Sequence, residues 1–356
     1  MSVLIIAEAG VNHNGESELA FKLIDAAVEA GADIVKFQTF KAANLVTQSA
    51  TKASYQKKTT GTDGHQFAML KKLEMSYDLH RELQKYCSDK GIRFLSTAFD
   101  HESLEFLVND LKLDVFKIPS GDITNGPLVL AHAMTGKNII LSTGMSTLGE
   151  IEDALGVLAF GYMNQTMEPS RKAFKQAYFS DVGQQLLKNK VSLLHCTTEY
   201  PAPLDEINLN VIKTLKSAFG LRVGYSDHSE GISIPIAATA LGSCIIEKHF
   251  TLDRNMEGPD HKASLEPDEL KSMISGIRSI ERALGCSVKG PQVSEIENMN
   301  VARKSLISKA KIFKGEFFTV ENVTVKRPGN GISPMDYWDT INTKSHHDYE
   351  VDEILK

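Results

Sequence analysis

Eight short apolar runs rich in Val, Ile, Leu and Phe recur along the first 250 residues: VLIIAEA (3–9), DIVKFQT (33–39), RFLSTA (93–98), DVFKIPS (114–120), NIILST (138–143), VSLLHCT (191–197), RVGYSD (222–227) and SCIIEKHF (243–250). Runs this short and this continuously apolar suit strands that are covered on both faces, as in parallel sheets. Most are separated by segments of helical period. In SELAFKLIDAAVEAGA, for example, Leu19, Leu23, Ala26, Ala27 and Ala30 fall on one face and Gly31 supplies the stop. Strand then helix, repeated eight times, predicts an α/β chain whose parallel sheet closes into a (β/α)8 TIM barrel over residues 1–285. After the last helical segment (266–284), GCSVKGPQVSEIENMN breaks the period and reads as a linker over 286–300. Residues 301–356 mix short strands with the turn signals KGE and PGNG, a small C-terminal domain of a size that needs something to pack on.

Two stretches interrupt the repeat. Residues 41–76 are long and polar, follow the second strand on the side where barrels carry their chemistry, and are expected to act as a lid. Residues 162–190, with MNQTMEPSRKAFKQ, follow a helix and are expected on the opposite side, away from chemistry.

Charge narrows the function. Lys+Arg 39 against Asp+Glu 45 gives a net charge of −6 with no dense basic cluster, which argues against a nucleic-acid partner. No apolar run reaches the ~20 residues of a membrane span, and MSVLIIAEAG has no basic n-region, so a cytoplasmic protein is expected. Cys87, Cys196, Cys244 and Cys286 form no CxxC pair and read as reduced thiols.

Barrel enzymes keep their reactive groups where strands end, and here nearly every strand finishes in polar residues. Glu8 ends the first, Lys36 and Gln38 the second, Ser96 and Thr97 the third, Lys117 and Ser120 the fourth, and Ser142 and Thr143 the fifth. His195, Thr197 and Glu199 follow for the sixth, Ser226, Asp227 and His228 for the seventh, and Lys248 and His249 for the eighth. A carboxylate such as Glu8 in an apolar strand points to the barrel mouth and to proton transfer. Lys36 and Lys117 allow two readings: a Schiff-base lysine, or a cationic pair for an anionic substrate. The neighbouring SGD, STA and STGM segments, which resemble anion cradles of N–H and hydroxyl groups, favour the pair. His228 and His249 end neighbouring strands, where their imidazoles suit one Mn²⁺, Fe²⁺ or Zn²⁺ ion, with Asp260 on the following loop. The loop GVNHNG (10–15) fits a plain turn as well as a functional loop. Arg327, in KRPGNG, sits on a turn tip suited to an anion or amide in another subunit.

The succession IAEAGVNHNG, VKFQTF, LSTAFD, FKIPSGD, ILSTGMST, LLHCTTEYPAP, GYSDHS, EKHFTLDRNMEGPDH and KRPGNGISP, from residue 4 to 337, resembles the sialic acid synthase family, phosphoenolpyruvate-dependent synthases of N-acetylneuraminate and its bacterial relatives. The resemblance implies that the small domain is an antifreeze-like (SAF) fold, in a domain-swapped homodimer where Arg327 reaches the N-acetyl group of the partner subunit's sugar. It implies Mn²⁺ on His228 and His249, phosphoenolpyruvate on Lys36, Thr97, Lys117, Ser120 and Ser142, and sugar on Gln38, Tyr200, Ser226 and Asp260. Glu8 becomes the acid/base candidate. Asp122, where the family usually has Glu, is a second candidate one methylene shorter.

The implied reaction joins phosphoenolpyruvate to an N-acetylated amino sugar. 2,4-Diacetamido-2,4,6-trideoxymannose gives N,N'-diacetyllegionaminate, N-acetylmannosamine gives N-acetylneuraminate, and the altrose isomer gives pseudaminate; the motifs lean towards the first. Outside the family, a Schiff-base aldolase using Lys117 and a non-catalytic sugar-binding protein are the rival readings.

Overall fold

The computed structural model describes residues 2–53, 56–57, 60, 65–163 and 167–356. It divides into two compact units, Met1–Gly285 and Cys286–Lys356.

The first unit is built on eight parallel strands: β1 (Leu4–Gly10), β2 (Ile34–Thr39), β3 (Arg93–Ala98), β4 (Val115–Ile118), β5 (Asn138–Ser142), β6 (Val191–His195), β7 (Arg222–Asp227) and β8 (Ile245–His249). They close in sequence order, with β8 pairing back onto β1, and helices connect them: the (β/α)8 barrel expected from the repeat. Alternation along each strand decides what the barrel holds. Ile6, Ile34, Leu95, Ile140, Leu194 and Ile245 fill its lower interior. Ile5, Ala7, Val35, Phe37, Tyr225 and Ile246 face the other way, into the layer shared with the helices. Gly224 takes an inner position with no room for a side chain, since a Cβ there would lie 2.5 Å from the Ile245 carbonyl oxygen and 2.7 Å from Leu194 Cδ2. Two residues further along each strand from that apolar floor stand Glu8, Lys36, Thr97, Ser142, Ser226 and Glu247, so the same alternation that buries the floor lifts a polar ring into the mouth.

The two interruptions of the repeat are built differently. The middle of the expected lid, residues 54–55, 58–59 and 61–64, lies outside the described residues. Its flanks form helices Ala42–Leu45 and Gln66–Leu73, and Leu73 packs with Val11 and Phe40 against the end of the barrel. The described part of the 162–190 stretch brings no residue to the charged mouth of the barrel. Its helices Arg171–Tyr178 and Asp181–Lys190 lie along the outer face of helix Leu148–Tyr162. From Ala154 to Gly161 that helix is apolar on every face and every residue is buried, so it requires a cover on its outer side. Ala173, Ala177 and Phe174 supply the cover, Phe174 standing edge-on to Phe160 at 5.2 Å.

In the second unit, the stretch read as a linker carries a helix, Val293–Ala302, started by a reciprocal pair of hydrogen bonds between Gln292 and Glu295. β9 (Ser305–Ser308) and β10 (Val323–Lys326) pair antiparallel over a core of Leu306, Ile312, Phe318, Val323, Tyr349 and Leu355.

Candidate active site

Four charged side chains cross the mouth of the barrel in alternating sign. Lys36 Nζ lies 2.6 Å from Glu8 Oε2 and 3.3 Å from Glu247 Oε2, and Lys117 Nζ lies 3.5 Å from Glu247 Oε1. All four are almost wholly buried. Such a row is tolerable in a low-dielectric site only because each charge is answered by its neighbour. The two carboxyls nevertheless separate. Burial pushes Glu8 up to about 7, with Glu247 pushing the same way, against the pull of Lys36 and, more weakly, of Lys117. Burial also raises Glu247, but Lys117 and Lys36 flank it and more than reverse the effect, holding it well below the usual carboxylate range. Glu8 is therefore the carboxyl poised to exchange a proton near neutrality, while Glu247 stays ionised. On the lysines, burial lowers Lys117, whereas Glu247 and Glu8 outweigh burial and raise Lys36.

Hydroxyls and one backbone N–H line the ground beside the lysines. Lys36 donates to Thr97 Oγ1 at 3.3 Å and Lys117 to Ser142 Oγ at 2.7 Å. The Gly144 N–H donates to Ser120 Oγ at 3.0 Å, and Cys196 Sγ stands 3.1 Å from the same oxygen. Gly144 is held to glycine by crowding: a Cβ would come within 2.3 Å of Thr198 Oγ1 and 2.8 Å of Ser120 Oγ. Two ammonium groups, four hydroxyls and a backbone N–H thus converge from β2, β3, β4, β5 and the β6 loop, the chemistry of a polyanion cradle.

His228 and His249 come together as the strand order requires, their ring centroids 5.7 Å apart, with the Tyr200 ring 4.2 Å from the first and 5.6 Å from the second. His228 Nδ1 donates to the Thr197 carbonyl at 2.6 Å, which leaves its Nε2 as the lone-pair nitrogen. His249 Nδ1 is buried with no hydrogen-bond partner. Burial pushes His228 down to about 4 and His249 well below its ordinary value, so both rings are neutral at pH 7. Two neutral imidazoles, one oriented by a backbone carbonyl and one with an orphaned nitrogen, fit a divalent cation. Among the described residues no set of three or more His, Cys, Asp or Glu side chains gathers as a ligand shell.

The remaining expected residues are less concentrated. Ser226 donates to Glu247 Oε1 at 2.8 Å and so belongs to the charged row. Gln38 is half-buried at the end of β2, beside Thr97 in register. Asp260 is buried on the loop after β8, and burial raises its carboxyl to about 6. Asp122 is half-buried and takes a hydrogen bond from Asn125 Nδ2 at 3.0 Å inside its own turn. Arg327 is exposed, one residue beyond β10. The GVNHNG loop is a clasp: Asn12 Nδ2 donates to the Phe250 carbonyl and to Ser264 Oγ at 2.8 and 2.9 Å, and Asn14 Oδ1 pairs with His261 Nε2 at 3.0 Å. It ties the β1 loop to the loop that carries Asp260. Glu247, the residue that links both lysines, was missed by sequence reasoning.

Residues 23–289 match the model of the NeuB family. The chain is 51 % identical over 353 residues to the N,N'-diacetyllegionaminic acid synthase of Campylobacter jejuni, the match covering 99 % of this chain and 98 % of that one. It is 40 % identical over 344 residues to the enzyme of the same name from Legionella pneumophila, covering 97 % and 90 %. Among solved structures, the N-acetylneuraminic acid (sialic acid) synthetase of Leptospira borgpetersenii is similar with a TM-score of 0.67 at 33 % identity, covering 84 % of this chain and 90 % of that one.

Proposed function

The chain belongs to the NeuB family of sialic-acid-type synthases, and from that premise we propose that it condenses phosphoenolpyruvate with open-chain 2,4-diacetamido-2,4,6-trideoxymannose and water, giving N,N'-diacetyllegionaminate and phosphate. The observation that carries the choice of sugar is the full-length likeness to the Campylobacter legionaminate enzyme. The paired lysines and their hydroxyl cradle support phosphoenolpyruvate as the partner substrate.

Lys36 and Lys117, with Thr97, Ser120, Ser142 and the Gly144 N–H, receive the phosphate and carboxylate and stabilise charge without becoming covalently attached. C3 of phosphoenolpyruvate attacks the sugar aldehyde carbon, the new C–C bond forms, and Glu8 gives its proton to the aldehyde oxygen. The cation left at C2 takes up water, whose proton returns to Glu8. The tetrahedral carbon then expels phosphate by C–O cleavage, the hydroxyl proton leaving with it, and the 2-keto acid closes to the sugar ring. A divalent cation held by His228 and His249, Mn²⁺ on this reading, supplies Lewis-acid polarisation of the aldehyde. Gln38, Tyr200, Ser226 and Asp260 are assigned to the sugar. Asp122, whose carboxylate is engaged by Asn125, is assigned a secondary part in water handling.

The exposed Arg327 supports a domain-swapped homodimer in which the second unit, an antifreeze-like domain on this reading, caps the barrel of the other copy. The reaction is assigned to the cytoplasm; among the described residues no helix is long and apolar enough to cross a membrane.

The deciding experiment follows phosphate release from phosphoenolpyruvate with Mn²⁺ in parallel reactions with the trideoxymannose, the altrose isomer and N-acetylmannosamine. Turnover with the first sugar is expected. Turnover with only one of the others renames the product, and no release with any of the three sinks the proposal.

A further inference from the structure

The ends of β7 and β8 hold a second buried ion pair, on the opposite side of the sheet from the charged row. Asp227 and Lys248 stand side by side in register, both side chains have no exposure, and Lys248 Nζ lies 2.6 Å from Asp227 Oδ2. The other carboxylate oxygen accepts three hydrogen bonds: from Tyr225 OH at 3.1 Å, from the Ser229 N–H at 3.0 Å and from Ser229 Oγ at 2.7 Å. Lys248 Nζ donates in addition to the Ser229 carbonyl. Strand alternation turns Ser226 and Glu247 into the mouth and Asp227 and Lys248 away from it, so neither member of the pair reaches the substrates.

An ion pair in such a place is not needed for stability, because well-packed apolar residues of similar volume hold two strands together at least as well. What it adds is direction. The Asp227 carboxylate bonds forward across His228 to both groups of Ser229, so the backbone on either side of that histidine is tied to one point. Lys248 ties the same point to the residue immediately before His249. Each imidazole therefore leaves a backbone position fixed by this one network, and His228 is pinned a third time through Thr197. We infer that the Asp227–Lys248 pair, with Tyr225 and Ser229, is a positioning device that sets the mutual placement of His228 and His249 and hence the affinity of the site for its divalent cation. The inference rests on the reading of those two histidines as the metal ligands.

The test reads metal binding without turnover. Mn²⁺ is titrated into wild type, His228→Ala and the double variant Asp227→Asn/Lys248→Met, following the free ion by electron paramagnetic resonance, and phosphoenolpyruvate affinity is measured on the same samples. The double variant is expected to bind Mn²⁺ about 10- to 100-fold more weakly while its phosphoenolpyruvate affinity stays within about twofold of wild type. Its turnover is expected to recover when Mn²⁺ is raised, and that of His228→Ala is not. Where the double variant does not fold, Asp227→Glu, which keeps the charge and lengthens the arm by one methylene, is put through the same two titrations with the same expectation. Mn²⁺ affinity equal to wild type, or equal losses for Mn²⁺ and phosphoenolpyruvate, overturns the inference and leaves the pair a structural one. A wild-type protein that takes up no Mn²⁺ overturns the histidine reading itself, and is recognised before any variant is made.

Discussion

Two carboxyls that share one ammonium are driven in opposite directions. Glu8 is paired with Lys36 and feels Lys117 only weakly, and burial wins; Glu247 is paired with both Lys36 and Lys117, and the cations win. Glu8→Gln is therefore expected to lower phosphate release by about 10²- to 10⁴-fold while phosphoenolpyruvate still binds, as read by initial rates beside equilibrium titration. A variant that turns over at the wild-type rate removes Glu8 from proton transfer. Asp260 offers a stability test with a definite sign. Its carboxyl sits above its ordinary value because it is buried. The folded state thus favours the protonated form, and that contribution is complete below pH ~4 and lost as the pH rises through about 6. Asp260→Asn should match wild type in thermal melts near pH 4 and exceed it above pH 6, by at most about 3 kcal/mol; a gap independent of pH would show that the carboxyl is not strained by burial. Glu8, Lys36 and Lys117 were legible in the sequence because a charge inside an apolar strand needs a reason. Glu247 was passed over because Lys248 and His249 drew the attention in EKHF, although period-two alternation excludes Lys248 from the mouth once His249 is placed there, and puts Glu247 in it.

The strands were legible for a related reason: parallel strands covered on both faces read as short apolar runs, and all eight are found where those runs stand. Elements whose reason lies in their neighbours were not. The helices after Tyr162 cover the apolar 154–161 part of helix Leu148–Tyr162, so their position follows from that helix and not from their own residues. Helix Val293–Ala302 has no buried residue and starts from a glutamine, which lacks the usual signature of a helix start. At this scale Gly224 is the sensitive point of the barrel floor. Gly224→Ala forces a methyl towards the Ile245 carbonyl, part of the backbone that β8 cannot withdraw without disturbing its ladder. A loss of about 1–3 kcal/mol is expected, read as a lower denaturation midpoint. An unchanged midpoint would mean that β7 shifts freely against β8.

For the whole molecule, the proposed exchange of small domains makes a prediction that no single chain can satisfy. His228→Ala spoils a barrel and Arg327→Ala spoils a cap, so dimers of either variant are expected to be impaired. Unfolding and refolding an equal mixture yields mixed dimers in which one site carries both defects and the other neither. Roughly a quarter of wild-type turnover should return when the two are assembled together. No recovery on mixing would mean that each cap serves its own barrel. One feature of the mouth bears on how such an enzyme runs over many cycles. When no substrate is present the two lysines already face two carboxyl groups, Glu247 ionised and Glu8 part-ionised near neutrality, so an arriving anion competes with an internal partner before it is held. Phosphoenolpyruvate does so with phosphate and carboxylate together, whereas the phosphate it leaves behind has only one group with which to compete. Inorganic phosphate is therefore expected to inhibit only weakly, its inhibition constant lying well above the KM for phosphoenolpyruvate in initial-rate measurements.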